Sequence, residues 1–494
     1  MSKPRDERQK DLFRPALDQI IDMSHPLVRL AQQIDWAFLE SRFGLVYEPG
    51  VGRPPLPTRL MAGLAILKHM HALSDEALCA RWIENPYYQF VCGEPVFRHE
   101  LPFDRSSLTR WRQRMGEERL LALIQESLAV AHKTGAIAGK DLERVAVDTT
   151  VQPKAVAHPT DARLMHRALI KLVALAKRDG IPLRQSYKRV AKRAAIMVGR
   201  YSHAHQFKRA RRELRFLRAR LGRVIRDIRR KIEGDAAHEE RFGPLLALAT
   251  RVRAQDHRQR GPKIYALHAP EVECIGKGKA RAPYEFGCKV SVATPVTKPR
   301  GGQFVLHAKA LHGNPFDGHT LGPVVAAMET LTGVEAKRIH VDKGYRGHSY
   351  ANRFRVWISG QVRRVTRSIR REMRRRAAIE PVIGHLKDDH LMGRNHLKGR
   401  DGDRINAVLA AAGYNFRLLL RWLARIWRVL FRITMLIPVI TTPTATLIPP
   451  DGRRAQVLHG RLSRSRRNPA WSSLSRRVAT RPGERKRAAG QASA

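Results

Sequence analysis

Acidic side chains are scarce in this sequence: 44 Asp and Glu stand against 93 Lys and Arg in 494 residues, a formal charge of +49. That excess goes far beyond what solubility requires and implies a partner of dense negative charge. Nucleic acid fits best, because each Lys or Arg that neutralises a phosphate releases counterions. Arg-rich coding in a GC-rich genome is the alternative origin of the same composition. Cysteine is scarce too. Cys79, Cys92, Cys274 and Cys288 are the only four, none of them in a CxxC pair, so neither a zinc knuckle nor a disulfide framework is signalled and reduced thiols are expected. The segment MSKPRDERQKDLFRPALDQ lacks an apolar core, so no secretory signal is expected. Long apolar runs are missing as well: Ile433 to Ile448 is uncharged, but it falls short of about 20 residues and carries Pro438 and Pro443, so no membrane span is expected. A cytoplasmic protein is expected from these absences.

What is present is 43% apolar residues, enough for two or three domains. After an arm of residues 1–24, residues 25–125 read as a helical DNA-binding domain. Leu60 to Leu73 has helical period, and Ser74 followed by Asp75 and Glu76 is a helix start, with a side-chain oxygen for the free amides and acids in the first turn. In the helix expected from Ser107, Leu108, Trp111 and Met115 share one face and leave Arg110, Arg112 and Arg114 toward solvent. Such a helix suits a DNA groove or backbone; a solvated amphipathic helix is the equally weighted alternative. From about 160 to 257 the chain becomes helical and basic. Phe207, Ala210, Leu214, Leu217, Leu221, Val224 and Ile228 form a heptad seam that needs a partner, either a neighbouring helix or a second protomer. Lys208, Arg211, Arg212, Arg215, Arg218, Arg220, Arg223 and Arg226 are expected on its outer faces.

Elsewhere the period is two. RVAVDTTV (Arg144 to Val151) reads as a strand, as do the stretches with Phe286, Cys288, Val290 and Val292 and with Phe304, Leu306, Ala308 and Ala310. A helix over Thr320 to Leu331, a short strand RIHVD and an apolar helix from about Arg404 to Ile433 follow; 434–494 reads as a basic, disordered tail. The order describes an α/β domain over 140–433 with an all-helical insertion after its first strand.

Two aspartates stand at strand ends inside otherwise apolar runs, Asp148 after RVAV and Asp342 after RIHV. A carboxylate there is costly to desolvate unless a cation or hydrogen-bond donor awaits it, although each is also able to cap the following turn. Downstream, Arg376, Glu380 and Lys387 fall roughly on one helical face, and Pro381 places the helix start near Glu380. One acid between two bases is either a surface ion-pair ladder or a metal ligand flanked by phosphate clamps. Three such carboxylates suit two Mg2+ or Mn2+ ions, which take hard oxygen ligands.

The segments VDTTVQPKAVAHPTD, IGKGKARAPYEFGCKVSV, LHGNPFDGHTL, HVDKGYRGH and RRRAAIEPVIGHLKDDHLMGRNHLKGRDGDRINAVLAAAGYNF resemble those of bacterial insertion-sequence transposases of the IS-five group. GRPPLPTRLMAGLAILKHMHALSDEALCARWIENPYYQFVCGE is similar to the helical domain that precedes their catalytic domain. The resemblance implies a ribonuclease-H-like catalytic domain with Asp148, Asp342 and Glu380 as a metal-binding DDE triad that cleaves and transfers DNA strands. It also implies binding of double-stranded DNA, at element ends and target, by Arg376, Lys387, Lys343 and the arginines Arg110, Arg112 and Arg114, and a homodimer in the synaptic complex. In the group's signature of Tyr, two residues, Arg, three residues, Glu, six residues, Lys, Met373 stands where Tyr would be. His385, His390 and His396 match no tight zinc spacing. A catalytically silent DNA-binding regulator and a nucleic-acid-coating basic protein are the alternatives; neither needs the aligned acids.

Overall fold

RVAVDTTVQP, rich in β-branched residues, forms β1 (Arg144–Pro153) at the centre of a six-stranded mixed sheet. The computed structural model describes residues 15–47, 54–256, 259, 261–276 and 283–440, with side chains to residue 428. The other strands are β2 (Glu273–Gly276), β3 (Tyr284–Pro295), β4 (His307–Leu311), β5 (Arg338–Val341) and β6 (Val356–Ile358). On one side β3 runs antiparallel to β1 and is itself lined by β2 and β4, both antiparallel. On the other side β5 runs parallel to β1, and β6 parallel to β5. Gly287 lets β3 approach β1: a Cβ there would collide with the Gln152 carbonyl.

Of the set expected to face inward on β3, Cys288, Val290 and Val292 are fully buried and Phe286 is half-buried, but the alternation with an exposed face fails: Ser291 is fully buried too, and from Val290 onward both faces of the strand are covered. The second expected strand begins later, at His307. Phe304 to Leu306 are buried, but at Val305 both the backbone N–H and C=O bond the Asn415 side chain, at 2.8 Å each, in place of a neighbouring strand.

The helices before the sheet are α1 (Leu17–Ile20), α2 (Pro26–Gln33), α3 (Trp36–Phe43), α4 (Thr58–Met70), α5 (Asp75–Glu84), α6 (Pro86–Val91), α7 (Ser106–Lys133) and α8 (Gly139–Leu142). Ser74 caps α5, its hydroxyl accepting from Ala77 N at 3.1 Å. Helix α7 breaks at Gly116, whose φ of 64° no β-carbon residue adopts cheaply, so the arginine-bearing stretch is a separate rod from the apolar remainder. The helical N-terminal part shares one core with the sheet: Phe43, Leu64 and Trp82 belong to the same buried cluster as Val145, Val292, Val341 and Phe416. Each such fully buried side chain contributes about 1.5–3 kcal/mol.

Between β1 and β2 lie α9 (Asp161–Arg178), α10 (Lys188–His203), α11 (Phe207–Ile232) and α12 (Ala236–Ala254), which enclose a second core of residues such as Met165, Leu172, Leu221, Ile228 and Phe242. The heptad seam of α11 therefore finds its partners in the same chain. Two details differ from expectation. Phe207, at the end of the seam, is 53% exposed. Arg218 and Arg220 fold inward, the former donating to the Gln255 carbonyl at 3.1 Å and the latter lying over the Phe216 ring.

After β4 come α13 (Asp317–Thr332), α14 (Arg367–Arg375), α15 (Ile379–Asp389) and α16 (Gly399–Ile440). Among the described residues no helix is long and apolar enough to cross a membrane. Residues 1–14 of the N-terminal arm, and 441–494 of the segment read as a disordered tail, lie outside the described residues.

Candidate active site

The parallel ladder between β1 and β5 ends at the pair Ala146 and His340. Asp148 and Asp342 each stand two residues further on, and because side chains alternate along a strand both point to the face on which that pair lies. Asp148 is thus not at the end of its strand, since β1 continues to Pro153 against β3; it sits where β5 has stopped covering it. Its Oδ1 accepts from Thr149 N at 2.8 Å and its Oδ2 from Arg376 at 3.2 Å. Burial, and next the nearby Asp342 carboxylate, push the Asp148 carboxyl up to about 6 against the opposing pull of Arg376. Asp342 follows β5 and caps a short turn, accepting from Gly344 N at 2.9 Å. The turn-capping role allowed for it is therefore filled, by one oxygen.

Glu380 is in the first turn of α15, with Pro381 next to it as expected, and its side chain is 64% exposed. Arg376, in the tight turn just before α15, bridges the acids, reaching Asp148 at 3.2 Å and Glu380 at 3.4 Å with different guanidinium nitrogens. The structure therefore puts Asp148 and Glu380 on one guanidinium and Asp342 near Asp148, without bringing the three carboxylates within ligand distance of one another, and it gives Arg376 to carboxylates rather than leaving it open for phosphate. Lys387 lies a full two turns on and pairs with Glu285 at 3.7 Å. Lys343 is exposed beside Asp342.

A second network holds the acid-bearing elements together. Glu372, buried on α14, accepts from Arg338 at 2.7 Å, Arg144 at 3.4 Å and His340 at 3.1 Å. It ties the helix leading to Arg376 and Glu380 to the starts of β1 and β5, while Arg375 donates to the Val296 carbonyl at 2.8 Å. Sequence reading also missed a fourth acid. Asp317, the first residue of α13, accepts through Oδ1 from Thr149 at 3.1 Å and Lys289 at 3.0 Å. Its only signal was its presence in LHGNPFDGHTL, where an acid opening a helix needs no further explanation. Tyr345 was missed likewise; it is fully buried and lies close enough to Asp317, Asp148 and Asp342 to feel their charge.

The three arginines of α7 part company. Arg110 is 70% exposed and Arg114 is exposed, stacked over Tyr47. Arg112 is a correction: it is 6% exposed, not solvent-facing, and donates to both oxygens of Asp75 at 2.9 and 2.6 Å. Burial alone would raise Asp75, but Arg112 and then Lys68 hold its carboxyl down at about 2. His390 is a packing residue, buried with Nδ1 at 2.7 Å from the His69 carbonyl. Cys288, His312 and Asp403 come together away from the triad. There Lys154, 2.8 Å from Asp403, already supplies the cation.

Residues 15–114 match the family model described as a transposase domain (DUF772). A Rhizobium meliloti protein described as uncharacterized protein ORF8 in the nfe locus is 55% identical over 199 residues, covering 40% of this chain and 96% of that protein. The chain belongs to one family with that protein and carries a transposase domain. Its function is thereby related to transposition. The domain match takes in α1 to α6 and the arginines of α7, stopping two residues before the break at Gly116, and Asp148, Asp342 and Glu380 lie beyond it. No solved structure gives a significant match.

Proposed function

We propose that this chain is a DDE transposase of the IS-five group, which binds the terminal inverted repeats of its element and performs metal-dependent cleavage and transfer of DNA strands. The observation that carries the reading is the convergence of Asp148, Asp342 and Glu380 from β1, β5 and α15 at the point where the β1–β5 ladder ends. A ribonuclease-H-like sheet is supported by a central β1 with antiparallel β3 and β4 on one side and parallel β5 and β6 on the other.

The residues suit Mg2+ or Mn2+. The donors are carboxylate oxygens, and the Asp148 carboxyl, pushed up to about 6 by burial first and by Asp342 second, would regain its charge beside a cation. Two such ions would polarise the scissile phosphate and favour the deprotonated form of the attacking water or 3′ hydroxyl. Asp148 and Asp342 would hold that charge from the sheet, and the exposed Glu380 would close the site from the DNA side. Arg376 neutralises two of the acids without metal and is placed to turn to a phosphate oxygen when they are otherwise occupied. Lys343, at the rim, would contact the backbone; so would Lys387 once released from Glu285.

In the transposase domain, Arg110 and Arg114 would bind the element ends, whereas Arg112 would act by holding α7 to α5. The exposed Lys208, Arg211, Arg212, Arg215, Arg223 and Arg226 of α11 would track the DNA backbone. A homodimer synapsing two ends in the cytoplasm, on nucleoid DNA, completes the reading. The alternative is a regulator that binds the ends without cutting. Asp342→Asn decides between them: loss of magnesium-dependent nicking of labelled end DNA, with unchanged gel-shift binding, supports the transposase, and an uncut wild-type control supports the regulator.

A further inference from the structure

The acid cluster has a feature that the triad leaves unexplained. Asp317 Oδ1 is doubly held, by the Thr149 hydroxyl and the Lys289 ammonium, and Lys289 is fixed in turn by the Pro315 carbonyl at 2.8 Å. This fixes the direction of Oδ2. A Cβ built on Gly344 would meet Asp342 Oδ1 at 3.1 Å and Asp317 Oδ2 at 3.3 Å, so these two oxygens converge on one point above the Gly344 backbone. Two carboxylates turned toward each other repel unless a cation stands between or beside them. Here Lys289 pairs with the other oxygen of Asp317, at 3.0 Å.

An independent observation points the same way. Tyr345 is 0% exposed, and its hydroxyl has only the buried Ser291 hydroxyl beside it; neither has a further hydrogen-bond partner among the described residues. That phenol lies near Asp317, Asp148 and Asp342 together. Two buried hydroxyls with at most each other for partner, beside carboxylates whose charge reaches them, leave hydrogen-bonding capacity unfilled unless a water or ion completes the site.

We infer that Asp317 is a fourth carboxylate of the divalent-cation site, held by Thr149 and Lys289 so that its second oxygen faces the ion alongside Asp342. The inference rests on the metal-dependent reading above. It assigns Gly344 the task of leaving room between the two carboxylates, and Lys289 that of setting how much charge Asp317 offers.

Mn2+ binding to the full-length protein without DNA, measured by calorimetry or by the loss of the free-ion paramagnetic resonance signal, tests it without recourse to activity. Wild type is expected to bind. Asp317→Asn, which keeps an acceptor for Thr149, should weaken binding about tenfold or more, about 1.4 kcal/mol or more. Lys289→Gln removes a competing cation while Thr149 and an amide donor still hold Asp317 Oδ1, and should tighten binding several-fold; this second variant carries the test if the first does not fold. Wild-type binding with both variants unchanged overturns the role of Asp317 and leaves the triad standing. Absence of Mn2+ binding by folded wild type overturns both.

Discussion

Replacing Asp148 by Asn should stabilise the metal-free protein at neutral pH, contrary to the usual effect of removing a paired, buried charge. The carboxyl is raised from 3.8 to about 6, by burial first and by Asp342 second. The folded state therefore holds this proton more tightly than the unfolded chain. Below pH 4 both states are protonated and the site costs nothing. Between pH 4 and 6 the unfolded chain ionises first, so stability falls as pH rises, and above pH 6 the full cost remains. Two pH units at 1.36 kcal/mol each give about 3 kcal/mol. With an unfolding entropy of about 2 cal/mol/K per residue, that is a rise of about 2–3 °C in melting midpoint at pH 7.5, shrinking to about a third of that at pH 4.5. Magnesium should reverse the order, because a cation at the acids stabilises the wild type and finds one ligand fewer in the variant. Thermal melts at the two pH values, with and without Mg2+, measure all of this. Asp148→Asn destabilising the metal-free protein at pH 7.5, or Mg2+ raising both midpoints equally, would refute the reasoning.

Glu372→Ala removes the acceptor shared by Arg144, Arg338 and His340; we expect a loss of about 3 kcal/mol in denaturant melts and a fall in DNA nicking larger than any fall in gel-shift affinity. Arg112→Met leaves Asp75 with Lys68 alone and should cost about 2–3 kcal/mol in stability, whereas the exposed Arg110→Gln should leave the melt unchanged and reduce end binding with a shallower salt dependence. Arg376→Gln withdraws the cation from Asp148 and Glu380, so the Asp148 carboxyl should titrate higher still, seen as a shift of its carbon resonance toward higher pH in a selectively labelled sample.

Much of the architecture was legible because it is local. β-branched runs made β1, an oxygen at Ser74 made the start of α5, and Pro381 located the start of α15, each within a few residues of sequence. The acids were legible because a charge inside an apolar run is conspicuous. Asp317 was not, since an Asp opening a helix is ordinary and only the packing of α13 against the turn that follows β5 brings it beside Asp342. Arg112 misled for the same reason: a helical wheel places it outward, and nothing within its own helix shows that the first turn of α5 will cover it with Asp75. Arg218 and Arg220 likewise look outward until α12 and α10 are packed beside them.

The central claim, that these acids form a metal-dependent DNA-cleaving centre, is tested most directly by single-turnover nicking of DNA carrying the element's own ends, comparing wild type with Glu380→Gln in Mg2+. Glu380 is exposed and contributes little to the fold, so its loss should leave the melt and the gel shift as they were. The account predicts nicking by wild type in Mg2+, none in EDTA and none by Glu380→Gln. Equal nicking by the variant, or nicking by wild type that persists in EDTA, would contradict it.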